Sequence, residues 1–491
     1  NSGASANSGP RLLEGSVRWS WPNSQDELLR FGPLIDDKDN IFLLTPSGFI
    51  RKFDDEGHIL WSWRSSVMEG KLATQGTLYE GNLYFASLGL GGEESRGYLF
   101  SVDMETGDLN WRVYLPKGST YDYDNGCLVV TNGTVLTALR DHANAPLFGF
   151  NNKIIALSAE DGSLLWEFLL EPLAAVHSFQ PSFPGDGTFL FSTPSARAYR
   201  LRLGDGSVVW QAEFPEPGNW SGTGGGTLGP DGDVFYALGA YFQQTLFTGP
   251  AAPMAGVAPC HLADCSLGQG VIGAYRVEDG DLLWMRRFEP GLLGTAHPAV
   301  GWIEGLGSSP VLIVPLGENA DTPRLEHGPE GWPGSLRRAL ARWQLHSPWL
   351  RRQLLAPIRR NAIWALNATT GHEIWRFDEL PHYDHFAAEG DGEGVERRAA
   401  EALAGDGNPR REMHCSPDSW TSPVIGSDGT VYVGSGHRGG MYAIRDLNSN
   451  GAIEPWEVSA LITGQAFAGG PALGKGIMAA APCWGPMYVL G

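Results

Sequence analysis

Charge is scarce in this 491-residue chain: Asp, Glu, Lys and Arg make up 18%, and the basic sign is the rarer, 35 residues against 55 acidic. A net charge of −20 excludes free nucleic acid or an anionic membrane as the natural partner of the body as a whole. Cysteine is sparse too, with five residues and no adjacent pair. No apolar run is long and unbroken. The most apolar stretch, Ala466 to Leu490, contains Lys475 and is punctuated by Gly469, Gly470, Pro471, Gly474, Gly476, Pro482, Gly485 and Pro486, so two buried strands explain it better than a membrane helix. Nucleophile elbow, phosphate loop and dinucleotide fingerprint are all missing from a strand–turn–helix setting. The chain starts at Asn1 and not at Met, which leads us to expect numbering that begins after a removed targeting segment.

What is plentiful is Gly (66), Pro (33) and Trp (18), in a chain that is 42% hydrophobic. That mixture suits many short strands joined by tight turns around a large core. The Gly-x-x-x-Trp spacing recurs at Gly15–Trp19, Gly57–Trp61, Gly107–Trp111, Gly162–Trp166, Gly206–Trp210, Gly280–Trp284 and Gly371–Trp375. The composition alone would produce about two such pairs, so the seven form a repeat. All but the first follow an apolar strand pattern such as Ile50–Phe53, Tyr98–Val102 or Ile363–Leu366. Gly supplies the positive φ of the turn, and Trp lies on the strand that leaves it. A further strand pair precedes each unit, most clearly in 422–434 followed by Met441–Ile444. Four strands per unit predict the blades of a β-propeller.

The last unit, after Ala466, has three strands, and the fourth is at the other end of the chain in 14–19. Pairing the termini removes the open edges. The expected fold is therefore an all-β, eight-bladed propeller of four-stranded antiparallel blades, spanning 11–491 behind a flexible tail at 1–10. These units, with Ile363-Trp-Ala-Leu-Asn-Ala-Thr-Thr-Gly-His-Glu-Ile-Trp375 as the best copy, resemble the pyrroloquinoline-quinone (PQQ) repeat family. The resemblance implies that Trp19, Trp61, Trp111, Trp166, Trp210, Trp284 and Trp375 dock between neighbouring blades. The family includes quinoprotein alcohol dehydrogenases and also propellers that bind no quinone, such as the bacterial outer-membrane assembly lipoprotein. It implies a fold and leaves function open.

With strands A to D running from centre to rim, residues 88–96, 141–150, 242–270 and 317–361 are expected between strands B and C. Residues 379–415 are expected between one D strand and the next A strand. Both kinds of connection emerge on one face, opposite the Gly turns, and elaboration on one face marks where a partner is met. Within 331–360 there are seven arginines, among them Arg337, Arg338, Arg342, Arg351 and Arg352, and no acidic residue. Leu336, Leu340 and Trp343 fall on one helical face, and Pro348 separates them from Leu350, Leu354 and Leu355, so a helical hairpin is expected. Three readings stay open: contact with the propeller's own acidic rim, a protein partner, or a membrane surface touched through this insertion alone.

The sharpest chemical motif is Asp446-Leu-Asn448-Ser-Asn450-Gly451-Ala452-Ile-Glu454-Pro-Trp-Glu457, which resembles the calcium loop of EF-hands at every diagnostic position. Asp446, Asn448, Asn450, Glu454 and Glu457 offer side-chain oxygens, and Ala452 its carbonyl. The loop would replace the C–D turn of blade seven and hold one structural ion. A plain Asn/Gly turn is the alternative. Quinone catalysis is not expected: the adjacent cysteines that family enzymes carry beneath the cofactor are missing, and the family's Glu, Asn and Asp ligands match no particular positions. His382, Asp384, His385, His414 and Cys415 fit no zinc spacing and read as a solvated loop. Cys260 and Cys265 suit a small loop-closing disulfide. Asn132, Asn219 and Asn367 are glycosylation acceptors. Together with the disulfide, these tilt the expectation towards an exported or otherwise oxidising compartment.

The function expected is that of a non-catalytic, calcium-stabilised binding or scaffold subunit of a larger assembly, meeting protein partners through the elaborated face. A quinone-dependent dehydrogenase is the main alternative. An exported carbohydrate-binding or lyase-like propeller is a third.

Overall fold

A computed structural model of the chain describes residues 2–23, 27–64, 72–87, 97–117, 119–120, 126–141, 143, 151–171, 176, 179–193, 197–213, 219–221, 225–242, 268–294, 296–317, 360–379, 415 and 418–491. They form eight antiparallel sheets in a closed ring, an eight-bladed β-propeller. Blade 1 is Leu34–Ile35, Ile41–Leu44, Ile50–Phe53 and Ile59–Trp63; blade 2 is Thr77–Tyr79, Asn82–Ala86, Tyr98–Asp103 and Leu109–Tyr114. Blade 3 is Gly126–Thr131, Thr134–Asp141, Lys153–Ser158 and Leu164–Leu169. Blade 4 has Thr188–Ser192, Ala198–Arg202 and Val208–Ala212, with its innermost strand reduced to a Ser182–Leu190 bridge. Blade 5 is Gly226–Leu228, Val234–Phe242, Gly268–Arg276 and Leu282–Arg287; blade 6 is Ala299–Gly301, Val311–Gly317, Asn361–Asn367 and Glu373–Asp378. Blade 7 is Val424–Ile425, Val431–Ser435, Gly440–Ile444 and Val458–Ile462.

Blade 8 is composite. Ala472–Leu473, Met478–Ala480 and Met487–Leu490 take Val17–Trp21 as their outer strand, so the ends of the chain close the ring as expected. The apolar 466–490 stretch supplies these three inner strands. Among the described residues, no helix is long and apolar enough to cross a membrane.

Burial explains the patterning. Middle strands are covered on both sides by neighbouring blades, and Ile41–Leu44, Ile50–Phe53 and Val311–Gly317 are buried at every position. Outer strands alternate; in Ile59–Trp63 and Leu109–Tyr114 the Trp turns inward between exposed neighbours. Innermost strands have an unpaired edge towards the channel, which tolerates proline. Pro33, Pro298, Pro423 and Pro471 all line that channel. The apolar core is accordingly a set of interblade clusters, for example Leu29, Ile41, Phe53, Met487 and Val489 between blades 8 and 1.

The segment expected to be a flexible tail is hydrogen-bonded. Val300 N donates to Ser2 O (2.7 Å), Ile425 N to Gly3 O (2.9 Å) and Tyr432 Oη to Gly9 O (2.7 Å). The segment leaves the inner strands of blades 6 and 7, crosses between blades 7 and 8, and becomes the outer strand of blade 8. Residues 243–267, 318–359 and 380–414, which carry most of the long insertions, lie outside the described residues. The strands that flank them place the first two between strands B and C and the third between strand D of blade 6 and strand A of blade 7.

Candidate functional site

Six joints between blades share one construction. Trp19, Trp61, Trp111, Trp166, Trp210 and Trp284 each lie over the turn glycine of the next blade: Gly57, Gly107, Gly162, Gly206, Gly280 and Gly371. A Cβ on Gly206 would stand 2.5 Å from the Trp166 ring, and its φ of +70° already disfavours a side chain. Each indole Nε1 donates to a carbonyl of the same turn: Asp55 (2.8 Å), Met104 (3.1 Å), Ala159 (3.1 Å), Leu203 (2.8 Å), Val277 (2.8 Å) and Ala368 (3.1 Å). The C–D register slips by one residue beside the Trp in every blade except the seventh, a bulge that aims the indole at its neighbour.

Blade 7 breaks this pattern twice. On the blade 6 side, Trp375 is 1% exposed, but its Nε1 has no acceptor among the described residues. The turn it faces is replaced by 446–457. On the blade 8 side the docking position of the outer strand, opposite Ala443, holds Ser459 instead of Trp. Its hydroxyl accepts the backbone N–H of Leu13 at 2.8 Å. Leu13 is fully buried among Tyr432, Met441 and Met478, so the knob comes from blade 8 and points the other way. Gly15, the turn glycine that would receive an indole, has open space where the others have a ring.

The 446–457 loop winds around its own oxygens. Asp446 Oδ1 and Oδ2 accept the N–H groups of Asn450 (3.2 Å) and Gly451 (3.0 Å). Asn448 Oδ1 accepts Asn450 N (2.9 Å), and Asn450 Oδ1 accepts Ala452 N (2.8 Å). Asn450 Nδ2 donates to Glu454 Oε1 at 2.7 Å. Glu457, 2% exposed at the end of a short 3₁₀ turn, accepts Leu447 N (2.6 Å) and Glu454 N (3.0 Å). Burial pushes the Glu457 carboxyl up, but these amides outweigh it and hold its pKa below the usual range. The set is of hard oxygen donors, the kind calcium selects. Among the described residues no three His, Cys, Asp or Glu side chains stand together as a ready metal cluster. Coordination would therefore draw on the Asn oxygens and the Ala452 carbonyl and turn Glu457 away from its amides. Trp456, one residue earlier, is 58% exposed and takes no part in docking.

On the opposite face a disulfide joins Cys415, at the entry to blade 7, to Cys483, in the B–C connection of blade 8. Both are buried. The sequence reading placed Cys415 in a solvated loop and gave Cys483 no partner; Cys415 is buried instead, and nothing local in the sequence brings residues 68 positions apart together. Glu379 was missed as well. It stands just after the outer strand of blade 6, where Leu115, Leu170 and Phe288 stand in other blades, and accepts bonds from Asn361 Nδ2 (2.8 Å), Ser435 Oγ (3.0 Å) and Tyr442 Oη (2.8 Å). Burial raises its pKa more than these donors lower it.

The channel widens to a cavity of about 360 Å³, lined among others by Arg30, Gln75, Gln180, His297, Asp418 and Trp420. Among the described residues its lining contains a single carboxylate, Asp418, and no Asn or Glu. Among the described residues this donor set is a poor cage for a calcium ion.

Of the other sequence candidates, Asn132 is exposed at a positive-φ turn, while Asn367 caps the N–H groups of Thr369 and Thr370. Asn219 begins the strand Asn219–Ser221, and its side chain is outside the described residues. Arg337, Arg338, Arg342, Arg351, Arg352, Cys260, Cys265, His382, Asp384, His385 and His414 also lie outside them. Arg360, at the end of the basic insertion, pairs with Glu289 at 2.6 Å.

Residues 14–223 match the family model described as outer membrane protein assembly factor BamB. Among solved structures, BamB from Moraxella catarrhalis is similar at 13% identity, with 96% of this chain and 98% of that one covered and a TM-score of 0.53. The quinohemoprotein alcohol dehydrogenase from Comamonas testosteroni is similar at 11% identity, covering 99% and 78%, with a TM-score of 0.55. At such identities the likeness is one of fold. No curated protein matches the chain. The family match is confined to residues 14–223, and over the whole chain the likeness is to the closed propeller fold that the repeat builds.

Proposed function

We propose that this protein is a non-catalytic scaffold propeller, a subunit of a larger assembly, whose seventh blade is held by one structural calcium ion. It meets a protein partner through the face that carries the long connections. The observation that carries this reading is the substitution at blade 7: a regular turn gives way to a twelve-residue loop with an oxygen at each EF-hand ligand position, folded so that its carboxylates face inward. The position of all the long connections on one face supports the partner surface, as does the family description of an assembly factor. A buried disulfide favours an exported setting.

Calorimetric titration of the chelator-treated protein should give one calcium per chain and an increase in melting temperature. No heat and no shift would refute the calcium reading. Charge reversal of Arg337, Arg338, Arg351 and Arg352 to Glu should abolish co-purification of the native partner, and unchanged association would remove the docking surface. Adding PQQ with calcium should leave the absorbance spectrum that of the separate components; a bound-quinone band with dye reduction would favour the dehydrogenase instead.

A further inference from the structure

The six regular joints are self-sufficient, each with an indole, a glycine and a hydrogen bond. The joint between blades 7 and 8 lacks the indole and its hydrogen bond, its turn glycine Gly15 faces open space, and blade 8 is also the blade assembled from both ends of the chain. On the turn face its substitutes are local and non-covalent: Leu13 on Ser459, Asn7 O accepting Ser427 N, and Ser8 on Asp428. On the other face stands the covalent link, Cys415 to Cys483, with Cα atoms 5.8 Å apart, well within the span a disulfide bridges. Cys483 is tied further, its N–H to Ala466 O (2.7 Å) and its carbonyl to Leu29 N (2.7 Å), so the link gathers blade 7, blade 8 and the segment leading into blade 1.

We infer that this disulfide is the clasp of the ring: closure at the 7–8 joint depends on oxidation, so the propeller completes itself only in an oxidising compartment. The chemistry is thiol–disulfide exchange with a small-molecule disulfide such as oxidised glutathione. One cysteine thiolate attacks a glutathione sulfur and expels the first glutathione thiolate. The second cysteine thiolate then attacks the mixed disulfide and expels the other. Two protein thiols are oxidised, one disulfide is reduced to two thiols, and the two protons released go to the leaving thiolates or to solvent. Both sulfurs are buried in the closed ring, so the reverse reaction requires the joint to open first.

Hydrogen exchange of the full chain, with Cys415→Ser/Cys483→Ser against the oxidised protein, tests this. Exchange should quicken at least tenfold in the strands of 424–490 and in 17–21, and stay unchanged in blades 2 to 5. Unchanged exchange at blades 7 and 8, or a uniform rise round the ring, would overturn the clasp. Should the double variant fail to fold, the oxidised wild-type chain supplies the answer: reduction by a phosphine in mild urea should precede the loss of intrinsic tryptophan fluorescence. Reduction only in step with global unfolding would overturn it equally.

Discussion

The regular joints and the joint between blades 7 and 8 make contact by opposite routes. At Trp166 the outer strand of one blade reaches forward, covers Gly206 and bonds Leu203 O. At Ser459 the outer strand recedes, and Leu13 of the following blade reaches back into the gap. The first arrangement is generic and serves any pair of blades with the repeat. The second is bespoke, and it sits where the oxygen-rich loop, the disulfide and the chain ends converge. A propeller can spend its repeat on stability in most of the ring and leave one sector free to acquire ligands and crosslinks. That sector is where function is sought.

The contrast can be broken most severely at a regular joint. Trp166→Ala removes a buried indole and its hydrogen bond and should cost about 3–5 kcal/mol of unfolding free energy in a urea titration. Ser459→Ala should cost only about 1 kcal/mol, the net worth of one hydrogen bond. Equal losses would show that the joints do not differ. Next in size is calcium. At a free concentration a hundred times its Kd a single site adds about 2.7 kcal/mol, so chelation should lower the melting temperature, and Glu457→Gln should erase that dependence. The turn glycines give a smaller, paired effect. Gly15→Ala meets only the positive-φ penalty of about 1–2 kcal/mol, whereas Gly206→Ala must also displace the Trp166 ring and should lose more. The difference between the two, by thermal melts, measures what the indole contact contributes.

The smallest effect is a slope with pH. Burial raises the Glu379 pKa, so its neutral form is favoured in the fold. Its contribution is fully present below the unfolded-state pKa and is lost as pH rises through the raised, folded value. Glu379→Gln should flatten the decline in the urea midpoint between pH 4 and pH 8. Glu27 has the opposite sign. Burial acts to raise its pKa, but the Arg51 guanidinium and the Thr45 and Ser47 hydroxyls outweigh it and hold the carboxyl below its usual range. Its contribution is present above the unfolded pKa and is lost as pH falls through the lower, folded one.

Most of the fold was legible because it is periodic. A glycine that needs positive φ and a tryptophan four residues on mark a blade wherever they fall, and the composite eighth blade follows from counting strands at the two ends. The 446–457 loop was visible as a departure from the repeat, since its Asp, Asn and Glu residues obey a fixed local spacing. What was hidden depends on distant segments meeting. Cys415 finds Cys483 only after a whole blade has folded between them, and nothing near Leu13 says that it fills the place of a tryptophan on strand 458–462. Glu379 was hidden otherwise: it occupies an apolar slot in the repeat, and only the structure shows Asn361, Ser435 and Tyr442 arriving around it.

We propose that blade 7 carries a cation where the other blades carry a plain turn. Terbium, an oxygen-seeking stand-in for calcium, reads this directly, because Trp456 lies within the loop next to Glu457 and can sensitise a bound ion. Saturable luminescence at one terbium per chain is expected, displaced by calcium and abolished by Asp446→Ala or Trp456→Phe. Luminescence that never saturates, or that survives Asp446→Ala, would contradict it.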